Sequence, residues 1–317
     1  MTEAQTLRQA MDSYFASSAQ VEELQKAITT ADGSAGDLQP IEYDAEILSM
    51  LVKKAPFMAR LRAINQVTPA RSSIVAYRRK ETGGATSFIG ETDNIPGTTD
   101  STWQAYTALM KTIVTPIEIS DLAQLGAQDV TDIYAQEIAD GMIDHAYMAG
   151  RQIIQGTAGA NAWDGLTNII TTNTTNMNAQ TVSRTDLRTA CNTILRAGGT
   201  PTAILTTPEV SAELEDELYP GIRDVNVTEL VTGINVTAFR APNGQDIPIV
   251  VDYSVPNNAN QRELYVLDET VLQNRVLMNP TTIPLAKTKL STSTVLASFQ
   301  TFYCRAQTWQ ARLYNIA

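Results

Sequence analysis

One histidine, His145, and two cysteines, Cys191 and Cys304, supply all the imidazole and thiol of this 317-residue chain. A mechanism that needs two imidazoles is excluded, and so is a His-rich zinc site. A Ser–His–acid triad would have to use His145, which falls inside a helical pattern. Gly-x-Ser-x-Gly, the turn that presents a nucleophilic serine, does not occur. The cysteines lie too far apart in sequence to read as a disulfide framework and read as free buried thiols. Gly83, Gly84 and Gly90 have the wrong spacing for a dinucleotide loop, and no Gly-Lys-Ser/Thr is present. The 34 acidic residues leave a converging carboxylate pair open, yet no Asp-Thr-Gly supports one. Glu213, Glu215, Asp216 and Glu217 read as the solvated face of a helix. No catalytic residue, cofactor or metal is therefore assigned.

What remains is chemistry of contact. Arg78, Arg79 and Lys80, followed by Glu81, Glu91 and Asp93, put mixed charge into one stretch. It reads either as a solvated tip or as ion pairing between subunits, where repetition makes weak exposed pairs matter together. Residues 72–80 are strand-like. Residues 81–100 are rich in Gly, Thr, Asp and Asn, with Pro96-Gly97 as a turn signal. Residues 102–119 are strand-like again, with Trp103, Ala105, Thr107 and Leu109 on one face and Tyr106, Ala108 and Met110 on the other. An isolated two-stranded hairpin is at best marginally stable in water. One this long is expected to rest on something outside its own core, with Trp103 among its contact residues. The first 30 residues read as a helix with one apolar stripe, Leu7, Met11, Tyr14, Ser18, Val21, Leu24 and Ile28, ended by the hinge Ala31–Asp37. Leu7, Met11 and Tyr14 are expected to lie against the rest of the domain or a neighbour.

The other elements follow from periodicity. Residues 41–64 hold a helical pattern interrupted by Pro56. Residues 129–155 form the longest helix, about 40 Å at 1.5 Å per residue, with Asp129 and Thr131 as candidate caps and Gly156 as the stop. Its stripe runs Tyr134, Ile138, Met142, Ala146, Ala149, Ile153, which leaves His145 partly exposed. Residues 157–182 read as loop. Ser183 caps a helix that ends at Gly198-Gly199. A buried strand covers 202–206, and Pro208 opens a further helix through Leu218. Strands are expected at 235–240 and 247–251, around the turn Pro242-Asn243-Gly244, then at 263–267, 273–278 and 294–316.

That order resembles the major capsid proteins of tailed double-stranded DNA viruses, the Hong Kong 97-type capsid fold also used by encapsulins. The local matches are residues 183–195 and 203–210 (helix, strand, then proline and helix) and 247–252, 264–268 and 301–311. The resemblance implies an α+β fold with an N-terminal arm over 1–40 and an extended β-hairpin loop over 68–117. A peripheral domain would take 41–67, 118–220 and 271–317, and an axial domain 221–270; residues 129–156 become a spine helix. Some members weld subunits through a loop lysine and a neighbour's asparagine, helped by a glutamate. Lys80 would supply the lysine, but Ser298 and Arg305 stand at the other two positions, so covalent cross-linking is not expected. Residues 1–40 are short for the cleaved scaffolding segment of other members, so no large cleaved segment is expected.

The resemblance implies a non-enzymatic structural protein of the virion, assembled in the host cytoplasm. Its partners would be itself, in hexamers and pentamers, with portal, scaffold or decoration proteins, and packaged double-stranded DNA held without sequence-specific contact. A net charge of −11 argues against a dedicated nucleic-acid reader. No run approaches the roughly 18 apolar residues of a spanning helix, and no membrane partner is expected. An encapsulin-type shell and a carboxylate-based α/β hydrolase are the alternatives.

Overall fold

The computed structural model describes residues 54–317, apart from 92–93, 95–96, 98–99, 127–131, 160, 219–237, 260, 288 and the side chains of 215–218. The expected N-terminal helix, its hinge and the apolar positions at 47–52 lie outside the described residues. So do Asp129 and Thr131.

The first described element is a helix, α1 (Pro56–Ala63). Pro56 opens this helix instead of interrupting one: at the first position its missing N–H has no partner to lose. Then come β1 (Val67–Pro69), β2 (Ile74–Thr82), β3 (Thr102–Leu109), β4 (Lys111–Ser120), α2 (Asp121–Gly126) and the spine, α3 (Ile133–Gln155). The stretch 102–119, read as one strand, is two. β3 pairs only with β2, in a separate antiparallel ribbon, and β4 pairs with a strand far along the chain. The second half holds α4 (Leu166–Ile169), β5 (Thr174–Gln180), α5 (Arg184–Arg196), β6 (Ala203–Thr206), α6 (Pro208–Leu218), β7 (Ala238–Arg240), β8 (Asp246–Val251), β9 (Arg262–Leu267), β10 (Leu272–Pro284), β11 (Ser291–Cys304) and β12 (Ala311–Ile316). Residues 157–182 thus contain a short helix and a strand, not loop alone. The expected closing strand 294–316 is broken by a 3₁₀ turn at Gln307–Trp309, so β11 and β12 serve different sheets.

A six-stranded mixed sheet runs β5-β12-β9-β6-β8-β7. Its central strands are buried on both faces, which explains their unbroken apolar runs. Ile204, Ile249, Leu264 and Val266 face a core with Leu187, Cys191 and Ile194 of α5 and Val210 and Leu214 of α6. Leu205, Val250, Tyr265 and Leu267, one residue out of phase, face a second core with Phe57, Met58 and Leu61 of α1 and Ile153 and Ile154 of α3. α5 is set locally: the Ser183 hydroxyl accepts from the Asp186 N–H while the Asp186 carboxylate accepts from the Ser183 N–H. Gly198, at φ +91°, supplies its left-handed stop.

The second sheet, β1-β10-β11-β4, carries α3. Asp132, next to the expected caps, accepts from the Tyr134 and Ala135 N–H groups at the start of that helix. The buried side of α3 passes through Gly141, His145 and Ala149, while Met142 is 45% exposed. His145 is therefore not partly exposed but 1% exposed. Its Nε2 lies 2.7 Å from the Ser298 hydroxyl of β11 and its Nδ1 3.2 Å from the Thr115 hydroxyl of β4. In the first turn of the helix, the Tyr134 hydroxyl meets Thr294 of β11 at 2.8 Å.

Candidate inter-subunit surface

Alternation along β2 and β3 sorts the hairpin side chains onto two faces. The register pairs Ile74 with Leu109, Tyr77 with Tyr106, Arg78 with Ala105 and Lys80 with Trp103. The expected facing of Trp103, Ala105, Thr107 and Leu109 against Tyr106 and Ala108 is the observed one.

The inner face is joined to the body by stacked rings. Tyr106 stacks on Tyr77 at 5.4 Å, and Tyr77 on Tyr303 of β11 at 4.8 Å. The Tyr77 hydroxyl donates to the Cys304 carbonyl at 3.3 Å, and burial raises the Tyr77 pKa. On the same face the Arg79 guanidinium lies 4.7 Å over the Tyr106 ring and donates to its hydroxyl, which donates in turn to Glu81. Arg79 also pairs with Glu81 at 2.7 Å. Hydrogen bonds from Arg79 and then Tyr106 hold the Glu81 carboxyl below its ordinary range. These two charges of the sequence cluster are matched within the hairpin itself.

The outer face is bare. Ile74, Trp103 and Leu109 are 53%, 65% and 55% exposed, and Arg78 and Lys80 stand between them without an acidic partner among the described residues. The Lys80 ammonium sits 5.9 Å from the Trp103 ring centre, at the outer limit of a cation–π contact. Beyond Thr82 the described residues up to Ser101 form no helix or strand. Glu91 is exposed there, and Phe88 and Ile89 stand in solvent. Asp93, Leu7, Met11 and Tyr14 lie outside the described residues. Sequence reasoning missed Tyr303 and the ring stack; Tyr77 and Tyr106 carried a signal, since each is aromatic at a same-face position of its strand.

Of the other positions considered, Ser298 is buried against His145, whereas Arg305 is exposed. Cys191 and Cys304 are free and buried, and burial pushes both thiols up to about 12. No group of three His, Cys, Asp or Glu side chains among the described residues is placed to hold a metal ion. No described helix is long and apolar enough to cross a membrane.

The architecture is shared with solved shell proteins. The encapsulin SrpI of Synechococcus elongatus PCC 7942 is similar at a TM-score of 0.64 and 13% identity, over 91% of this chain and 96% of that one. The capsid of a native GTA particle is similar at 0.66 and 12% identity, over 91% and 99%. Mycobacterium phage Adephagia is similar at 0.63 and 13% identity, over 92% and 98%. At these identities the likeness is one of fold, the Hong Kong 97-type fold expected from the order of elements. No curated protein matches in sequence. The family model for SU10 major capsid protein matches residues 22–317, nearly the whole chain, and the chain accordingly belongs to that family as a structural subunit of a virion capsid.

Proposed function

We propose that the chain builds an icosahedral head from hexamers and pentamers, without turnover, around double-stranded DNA that it confines but does not read. The observation that carries this reading is the bare outer face of the hairpin. An isolated pair of strands is at best marginally stable in water, and among the described residues this pair is anchored to its own body on one face only. The other face presents Ile74, Arg78, Lys80, Trp103 and Leu109. Its fit is to an acidic, partly apolar surface on a neighbouring copy, in a chain whose net charge is −11. In this reading Arg79 and Glu81 stiffen the hairpin, and Arg78, Lys80 and Trp103 make the contact. Glu91, Asp93 and the apolar positions Leu7, Met11 and Tyr14 remain proposed contact residues. Portal, scaffold and decoration proteins are proposed partners on the family resemblance alone.

The peripheral unit is proposed to centre on α3 and the four-stranded sheet. The axial unit was expected over 221–270, which holds three strands of the six-stranded sheet. Because β5, β6 and β12 complete that sheet, the axial unit is proposed to take them as well.

Purified chain is expected to form megadalton particles in light scattering. Arg78→Glu with Lys80→Glu is expected to leave a folded subunit, since both side chains are exposed, and to abolish those particles. A wild-type chain that stays a small species under all conditions would overturn the shell reading; a double variant that assembles normally would overturn the hairpin's role. The likeness to SrpI gives the second reading, a nanocompartment holding protein cargo, and electron microscopy of particle contents separates the two.

A further inference from the structure

The two halves of α3 are held unequally. The second half is locked into apolar packing through Ala149, Gly150, Ile153 and Ile154. The polar and close contacts of the first half with the sheet fall at Tyr134, Gly141 and His145. Tyr134 reaches Thr294, Gly141 packs on Ile117, and His145 bridges Ser298 and Thr115. Gly141 also lowers helix propensity between the two polar contacts, by about 1 kcal/mol relative to alanine.

Among the described residues, no counter-charge faces His145. β4 presents Thr115 between Ile113 and Ile117, and β11 presents Ser298 between Leu296 and Gln300, none of them titratable. On α3 itself Glu137 and Asp140 are exposed, and Asp144 is half-buried with an interaction of its own. Tyr134 is engaged with Thr294. In its neutral form the ring donates through one nitrogen and accepts through the other, which two hydroxyls can match. A protonated ring donates through both, so the hydroxyl that was donating loses its acceptor while a cation is buried without a partner.

We propose that His145 is a proton-operated latch: neutral, it seats the first half of α3 on the four-stranded sheet, and protonated, it releases residues 133–145 while the second half stays packed.

Burial alone lowers the His145 pKa from its ordinary value. A solvated imidazole therefore takes a proton more readily than the seated one. Seating is fully favoured above about pH 6.5 and is lost as pH falls below it, by about tenfold per unit until the seated ring itself titrates.

Hydrogen exchange by mass spectrometry on the full chain tests this, comparing wild type with His145→Gln at each pH so that intrinsic rates cancel. Glutamine keeps a donor and an acceptor and does not titrate. Amides in 133–145 of the wild type are expected to exchange faster than those of the variant at pH 5.5, by up to about tenfold, and equally at pH 7.5. Amides of α5 are expected to match at both. An identical pH response in the variant, or a wild-type response shared equally by α5, would overturn the latch. Should the variant not fold, the single histidine of the wild type can be titrated by NMR: a midpoint below 6.5 that coincides with the onset of exchange in 133–145 supports the latch, and a midpoint at or above 6.5 sinks it.

Discussion

Asp252 shows how one buried carboxylate can cost and contribute at the same time. It is fully buried and accepts from the Phe57 N–H at 3.0 Å and the Ser254 N–H at 2.8 Å. Phe57 lies in the first turn of α1, and Ala55, at the cap position, has no side chain to offer. The cap therefore comes from 195 positions along the chain. Desolvation raises the Asp252 pKa even though both N–H donors act to lower it. The two N–H groups are taken by different carboxylate oxygens, so an amide in its place can serve only one of them and turns its own N–H donors toward the other. Asp252→Asn is therefore expected to unfold at a lower urea concentration than the wild type, by about the 1–3 kcal/mol of one stranded N–H. Asp252→Ala is expected to lose about 1–2 kcal/mol, the usual worth of a cap and of a stranded N–H. A wild-type midpoint for either variant would contradict this. His145 teaches the complementary lesson about reading a helix. Hydropathy favoured a stripe through Met142 and Ala146, whereas the fold buries Gly141 and His145 one position earlier. Nothing local distinguishes the two stripes; the hydroxyls of Thr115 and Ser298, which make burial of the ring acceptable, come from elsewhere in the chain.

At the scale of elements, those whose signals are local were legible. Ser183, Pro208 and the Gly198 stop gave α5 and α6 nearly to the residue. The apolar runs gave β6, β8 and β9, and alternation gave the two faces of the hairpin. What was missed depends on distant partners. β5 is rich in Thr and Asn and buries Met177 alone; it is a strand because β12 lies parallel to it. Met110 separates two strands of similar pattern that belong to different sheets. The approach of α1 to α3 also turns on one position. A Cβ at Gly150 would stand 2.5 Å from the Ala55 Cβ, a short stub with nowhere to swing. Gly150→Ala should gain about 1 kcal/mol of helix propensity and lose more to overpacking, which typically costs 1–3 kcal/mol. A lower melting temperature is expected, and a raised one would show that α1 can retreat.

For the whole molecule, the two cores share a wall. Ile204 points into one core and its neighbour Leu205 into the other, both completely buried. Damage on either side should therefore be felt by a single cooperative unit. Ile204→Ala and Leu205→Ala are each expected to cost about 2–5 kcal/mol and to move one common transition, followed by circular dichroism and by tryptophan emission. Transitions that separate between the two probes would divide the molecule into independent parts. The fold class was legible at this scale because the order of elements is distinctive. Among the residues proposed for contact between copies, Arg79 and Glu81 pair with each other inside the hairpin, while Arg78, Lys80 and Trp103 stand exposed.

The single residue between β3 and β4 has a mechanical meaning. A force applied to the hairpin by anything gripping it passes through Met110 into β4, whose ten residues lie in unbroken antiparallel register with β11. A pull that runs along the strand loads this ladder in shear, and its hydrogen bonds then resist together instead of unzipping one by one. β11 is also the strand on which Thr294 and Ser298 receive the spine. Tension on the loop is thus delivered to the bed of α3, and internal pressure that spreads such subunits apart would be borne by this ladder.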